Sequence, residues 1–258
     1  MIAVNNTGVM ICGHGSREAD TMREFMTLAS GVAARLPEYQ VESGFLEFAS
    51  PTIQDGLEKL RRAGCASILV IPGTLFSGGH AMQDIPAILK NFVAQFPDIQ
   101  LRYGRAFDVD ANFVQAACAR LRDVSGSIAL ETTALLVTGR GASDPEVLVS
   151  METITHLIQA EMKFAHVETA YAGIASPSVP DALERIAGRS FQRVVVLPYF
   201  LFTGMLVKRI YDDTDAVAAR YPATQFVKAS HLNNHPLIID SFAGRIMETR
   251  VAGTVING

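Results

Sequence analysis

Three ionisable side chains stand at places where chemistry would be expected. His14 lies between two glycines in "CGHGSREAD", Glu47 in "GFLEFASPT", and His80 in "LFSGGHAMQD". Two imidazoles and one carboxylate suit a borderline divalent cation. Three protein ligands leave coordination positions for water or substrate, as a catalytic metal site requires. Each residue also has an ordinary explanation. A histidine can satisfy a loop, and a glutamate can face water on an edge strand. An internal repeat helps to separate the two readings.

Residues 41–60, "VESGFLEFASPTIQDGLEKL", and residues 167–186, "VETAYAGIASPSVPDALERI", are related by an offset of 126. The same offset maps "VMICGHGS" onto "LLVTGRGA" and "SILVIPGTLFSGGH" onto "RVVVLPYFLFTGML". A two-residue slip later aligns "GRAFDVDANF" with "KASHLNNHPL". The chain is therefore two similar halves, 1–127 and 128–258. Arg140, Gly173 and Leu206 occupy the places of His14, Glu47 and His80. The scaffold recurs and the three candidate ligands do not. This points to one site, in the first half, with a degenerate second half as the opposite wall.

The elements that must position these residues can be read from periodicity. "GVMICG", "VESGFLEF", "SILVIPG" and "DIQLRYGRAF" read as strands. "EADTMREFMTLASGVAARL", "DIPAILKNFVAQF" and "NFVQAACARLR" read as helices, and a further helix starts at Ser50-Pro51, with Ser as a cap. Alternating strands and helices give an α/β fold, a parallel doubly wound sheet in each half. Ligands of such sheets sit beyond the carboxyl ends of the strands. His14, Glu47 and His80 all fall there.

The surroundings suggest a broad apolar ligand. Phe45, Phe76, Met82, Phe202, Met205 and Leu206 lie in or near strand-end segments and would line a cleft between the halves. Ser16, Arg17, Arg140, Lys208 and Arg209 lie near the expected rim, where the basic residues would pair with carboxylates. Gly13, Gly15, Gly78 and Gly79 permit close turns. His156, His166, His231 and His235 read as structural.

Composition excludes several partners. The net charge is -4 and no basic run occurs, which argues against nucleic acid. No apolar run is long enough to span a bilayer, and the N-terminal stretch lacks the pattern of a signal peptide. Cys12, Cys65 and Cys118 are scattered and suggest reduced thiols in a cytoplasmic protein. No Walker sequence is present.

"GHGSREAD", "FLEFASPTI", "LVIPGTLFSGGHAMQDIP" and the two-half layout resemble the class II tetrapyrrole chelatases, specifically the CbiX-type sirohydrochlorin chelatases in their long form. The resemblance implies two tandem Rossmann-like domains with a tetrapyrrole cleft between them. It implies ATP-independent insertion of cobalt or iron into sirohydrochlorin, as in cobalamin or sirohaem biosynthesis. Nickel is a further candidate metal. The family's metal-site histidines fall on His14 and His80, and its acidic residue on Glu47. No iron–sulfur cluster and no nucleotide is expected. Two halves suffice for a monomer, and a homodimer is equally permitted. The rival readings are a carrier that binds metal or tetrapyrrole without turnover, and a phosphoryl-handling enzyme with an anion at the Gly-His-Gly turn.

Overall fold

A computed structural model describes residues 6–78, 83–126, 129–189 and 191–257. The first repeat begins with strand β1 (Thr7–Gly13), helix α1 (Ala19–Arg35), β2 (Gln40–Phe45) and α2 (Ile53–Arg62). It continues with β3 (Ser67–Pro72), α3 (Ile85–Gln95), β4 (Gln100–Tyr103) and α4 (Ala111–Ser125). The second repeat runs β5 (Thr133–Gly139), α5 (Pro145–Met162), β6 (His166–Tyr171) and α6 (Val179–Ala187). It ends with β7 (Arg193–Pro198), α7 (Met205–Ala218), β8 (Gln225–Lys228), α8 (Pro236–Ala252) and β9 (Thr254–Ile256).

Two sheets form. Their strand orders are β2-β1-β3-β4-β9 and β6-β5-β7-β8. Val9–Cys12 and Ile68–Ile71 are fully buried, as expected for strands covered on both faces. β1 is an interior strand, between β2 and β3. Its last residue, Gly13, is in register with Phe45 of β2, and Cys12 with Pro72 of β3. The loops after β1, β2 and β3 therefore leave the sheet side by side. β9 was not apparent from periodicity. It pairs antiparallel with β4, so the first sheet is parallel except at this edge.

The start of α2 also differs from expectation. Ser50-Pro51 precedes the helix and is a cis peptide. Thr52 is the cap: its hydroxyl accepts from Asp55 N–H, and the Asp55 carboxylate accepts from Thr52 N–H in return. The Pro51 carbonyl instead accepts from Phe45 N–H at 2.9 Å. "ASPS" in the second repeat folds in the same way, with Ser178 as cap and Tyr171 N–H donating to Pro177.

The compact units do not follow the repeat boundary at 127/128. One unit is formed by residues up to Asp108 together with those from Ile238 onward, and the other by Val109–Leu237. The equivalent closing helices, α4 and α8, are exchanged. α8 serves the first unit. Ile239 lies against Gly31 of α1, Asp240 pairs with Arg35, and the rings of Phe242 and Phe107 stand 4.5 Å apart. α4 serves the second unit, where Arg122 pairs with Glu161 of α5 at 2.7 Å. On the other sheet faces, α2 and α3 cover Met10, Cys12, Ile68 and Val70, while α6 and α7 cover Leu136, Val194 and Val196.

Candidate functional site

β1 ends at Gly13 and delivers His14 to the sheet's carboxyl edge. The β1–β2 ladder then continues past the end of β2: Leu46 N–H donates to Gly13 O at 2.9 Å, and Glu47 N–H donates to His14 O at 3.0 Å. This extension turns Glu47 toward the histidine. His14 Nε2 and Glu47 Oε1 stand 3.2 Å apart, with the side chains 33% and 44% exposed. His14 Nδ1 lies 3.3 Å from the Gly15 carbonyl. If Nδ1 carries the ring proton, Nε2 keeps its lone pair for a metal.

The separation has a chemical meaning. Two donors each about 2.1 Å from one cation and 3.2 Å apart subtend an angle of about 100° at that cation. This angle lies between octahedral and tetrahedral values, so the separation is compatible with both side chains ligating one ion. Among the described residues no group of three or more His, Cys, Asp or Glu could hold a metal. His80, the expected third ligand, lies outside the described residues, as does Met82.

The other expected residues are distributed as follows. Ser16 Oγ accepts from Glu18 N–H at 3.0 Å and so shapes the entry to α1. Arg17 is exposed, with its guanidinium 5.3 Å from the centre of the Phe48 ring. Phe76 is half-buried in the loop after β3. Met205, 75% exposed, begins α7 in the second unit. Phe45 is corrected from a lining residue to the floor beneath one. It is 1% exposed, its ring centre 4.8 Å from that of Phe25, because it ends β2 on a face already covered by α1. All three cysteines are buried free thiols, and burial raises the pKa of each. For Cys118 the value is about 11. His235 Nδ1 accepts from Leu237 N–H at the start of α8. His166 opens β6, where its ring pairs with Glu168.

Two residues of the site were not singled out in the sequence. Phe48 adopts φ 62, is 53% exposed, and stacks on His14 with ring centres 6.0 Å apart. His14, Phe48 and Arg17 thus form a layered edge. An aromatic directly after Glu47, replaced by Ile174 in the other repeat, was the available signal. Asp108, at φ 50, is the second. Its carboxylate accepts from both Ser77 N–H and Ser77 Oγ at 3.0 Å, and its own N–H donates to Leu75 O at 2.7 Å. It fastens the segment that leads toward His80. The slip in the repeat obscured it, since Leu232 stands at the matching place.

Comparison with known proteins agrees with this architecture. The CbiX family model matches residues 8–124 and 134–249. A sirohydrochlorin cobaltochelatase of Priestia megaterium is 32% identical, over 88% of this chain and 75% of that protein. A sirohydrochlorin ferrochelatase of the same organism is also 32% identical, over 88% and 84%. The solved structure of SirB from Bacillus subtilis with Fe3+ superposes with a TM-score of 0.86 at 27% identity, covering 95% of this chain and 96% of that one. Both repeats are matched by one family model, and together these matches span most of the chain. The chain belongs to the CbiX family.

Proposed function

We propose that this protein is a sirohydrochlorin chelatase, inserting cobalt or iron into the macrocycle without a nucleotide. The observation that carries the reading is the His14–Glu47 pair. An imidazole nitrogen and a carboxylate oxygen, 3.2 Å apart, sit at the carboxyl ends of two adjacent parallel strands. The relatives named above support the substrate. Their equal 32% identity, one a cobaltochelatase and the other a ferrochelatase, leaves both metals as candidates. Nickel suits the same ligand types.

The first repeat carries the chemistry. His14, Glu47 and His80 hold the divalent ion, a substrate here, and strip part of its hydration shell. Insertion then requires two pyrrole N–H protons to leave the ring as the metal enters it. His14 and His80 are the proton acceptors in this reading, each able to take a proton as the metal leaves it, and Glu47 balances the charge. Phe48, stacked on His14, offers the flat ring an apolar surface. The second repeat lacks all three ligands and serves binding. The protein acts in the cytoplasm, a reading supported by its three buried free thiols.

The test is anaerobic insertion into sirohydrochlorin followed by absorbance, with cobalt and iron supplied separately. Multiple turnovers by the wild type, lost in both His14→Ala and His80→Ala, are expected. A wild type that binds one equivalent and never exceeds the spontaneous insertion rate would be a carrier instead.

A further inference from the structure

The repeat supplies an internal reference for every strand-end position. In the first unit, the loop after β1 carries His14 and the loop after its neighbour β2 carries Glu47, in contact at 3.2 Å. In the second unit the same two places hold Arg140 and Gly173. The backbone frame is conserved: Ala172 N–H donates to Gly139 O at 2.9 Å, matching Leu46 N–H to Gly13 O. Within that frame a fixed cation has replaced the imidazole, and its carboxylate neighbour has been deleted.

Gly173 lets the two loops approach closely at Arg140. A Cβ at Gly173 would stand 2.4 Å from the Arg140 carbonyl oxygen and 4.0 Å from Arg140 Cγ. Arg140 is exposed, and among the described residues no carboxylate pairs with it. Several other arginines of the unit do have a carboxylate partner. Arg185 pairs with Glu168, Arg220 with Glu184, and Arg209 with Asp213. The strand order β6-β5-β7 places Arg140 between the loops that follow β6 and β7. Each of those segments presents a large apolar side chain to solvent: Ile174 at 80% and Met205 at 75% exposure. A lone guanidinium flanked by exposed apolar groups suits a ligand that is broadly apolar and carries carboxylates.

We infer that Arg140 binds a carboxylate of the tetrapyrrole, with Ile174 and Met205 meeting the apolar part of the same ligand. The inference rests on the chelatase reading and adds to it the residue that holds a peripheral acid group. Its fork of N–H groups donates two parallel bonds to a carboxylate, which the ammonium of a lysine cannot reproduce.

The test is a titration of metal-free sirohydrochlorin into wild type, Arg140→Gln and Arg140→Lys, read by absorbance, with a dicarboxylate porphyrin as second ligand. Arg140→Gln is expected to weaken sirohydrochlorin binding about tenfold, the usual effect of losing a charge-assisted hydrogen bond. Arg140→Lys should recover part of it, and the dicarboxylate porphyrin should lose less. Thermal unfolding of the variants should match the wild type, since Arg140 is exposed and pairs with no carboxylate among the described residues. Wild type that binds and an Arg140→Gln that binds within twofold of it would overturn this inference alone. Equal losses for both ligands would also overturn it, because the effect would then not run through the additional carboxylates. A wild type that fails to bind sirohydrochlorin would overturn the chelatase reading as well.

Discussion

Gly15 and Glu47 are locked together through the backbone. Gly15 adopts φ +96, and a Cβ added there would stand 1.8 Å from the Glu47 carbonyl oxygen. The two loops that present His14 and Glu47 are thus in direct main-chain contact, immediately beyond the hydrogen bond from Glu47 N–H to His14 O. The Gly-His-Gly turn exists because the second glycine lets the loops close on one another. Gly13, before His14, ends a strand against the rings of Phe25 and Phe45, with no room for a side chain of its own. The imidazole is held by the turn on one side and by the extended ladder on the other.

Gly15→Ala should therefore separate the pair without removing either member. Left-handed backbone at a residue with a side chain costs about 1–3 kcal/mol, and the contact with a carbonyl oxygen forces the loops apart. Metal insertion is expected to fall by more than about tenfold, a displacement on the order of 1 Å being sufficient for that. Steady-state insertion rates and a melting curve on the same preparation check this. Wild-type activity in the variant would show that the His14–Glu47 spacing is not what matters.

Glu47→Gln isolates the charge from the shape. The pair is well exposed on both sides, so its contribution to folding is under about 1 kcal/mol, and the melting temperature should barely move. A neutral amide is a poorer ligand for a divalent ion and cannot offset its charge. The insertion rate and the affinity for cobalt alone, measured by isothermal calorimetry, should both fall at least about tenfold. Retained cobalt affinity with a lost rate would place Glu47 in proton transfer rather than in metal binding.

The alternation of apolar runs and amphipathic stretches made the α/β class legible, and β1 and β3 most clearly, because parallel strands buried on both faces are nearly uniform in hydrophobicity. The His14–Glu47 contact was legible too, through the rule that sites lie beyond strand ends. The exchange of α4 and α8 was not. The two helices are equivalent in the repeat, and either would satisfy the apolar pattern of either sheet. The decision is made by tertiary contacts such as Phe242 on Phe107. β9 was hidden for a simpler reason: three residues, "TVI", are too few to establish a period. Phe45 was misread because a strand-end aromatic can point up into a site or sideways under a helix, and only packing distinguishes these.

The exchange itself can be tested at Phe242. This residue is fully buried in α8, against Phe107, and the Arg245 guanidinium lies 5.1 Å from the Phe107 ring centre. Phe242→Ala should cost about 3–5 kcal/mol in the first unit, the usual range for emptying an aromatic site. Hydrogen exchange read by mass spectrometry locates the loss. Faster exchange is expected in β1, β3 and α1, more than a hundred and thirty residues before the substitution in the chain. Loss confined to β7 and α5 would mean that α8 serves the second unit instead.

The acid limb of the stability curve should be steepened by Glu168. Burial disfavours its charge, but bonds from Arg185 and His166, at 2.5 and 2.6 Å, outweigh that effect. Arg189 adds a second guanidinium at 3.6 Å. The net result holds the carboxyl below its ordinary value of 4.5 in the folded protein. The unfolded chain therefore takes up this proton first as pH falls. The stabilisation is fully present above about pH 4.5 and disappears as pH drops through the lower, folded value. Glu168→Gln removes the group that titrates, while the other depressed carboxyls, such as Glu58 and Glu248, stay common to both proteins. The urea midpoint of the variant should lie below that of the wild type at pH 5, and the gap should close as pH is lowered toward 3. A gap that stays constant across this window would show that Glu168 stabilises β6 through shape and hydrogen bonding alone, with its charge contributing nothing.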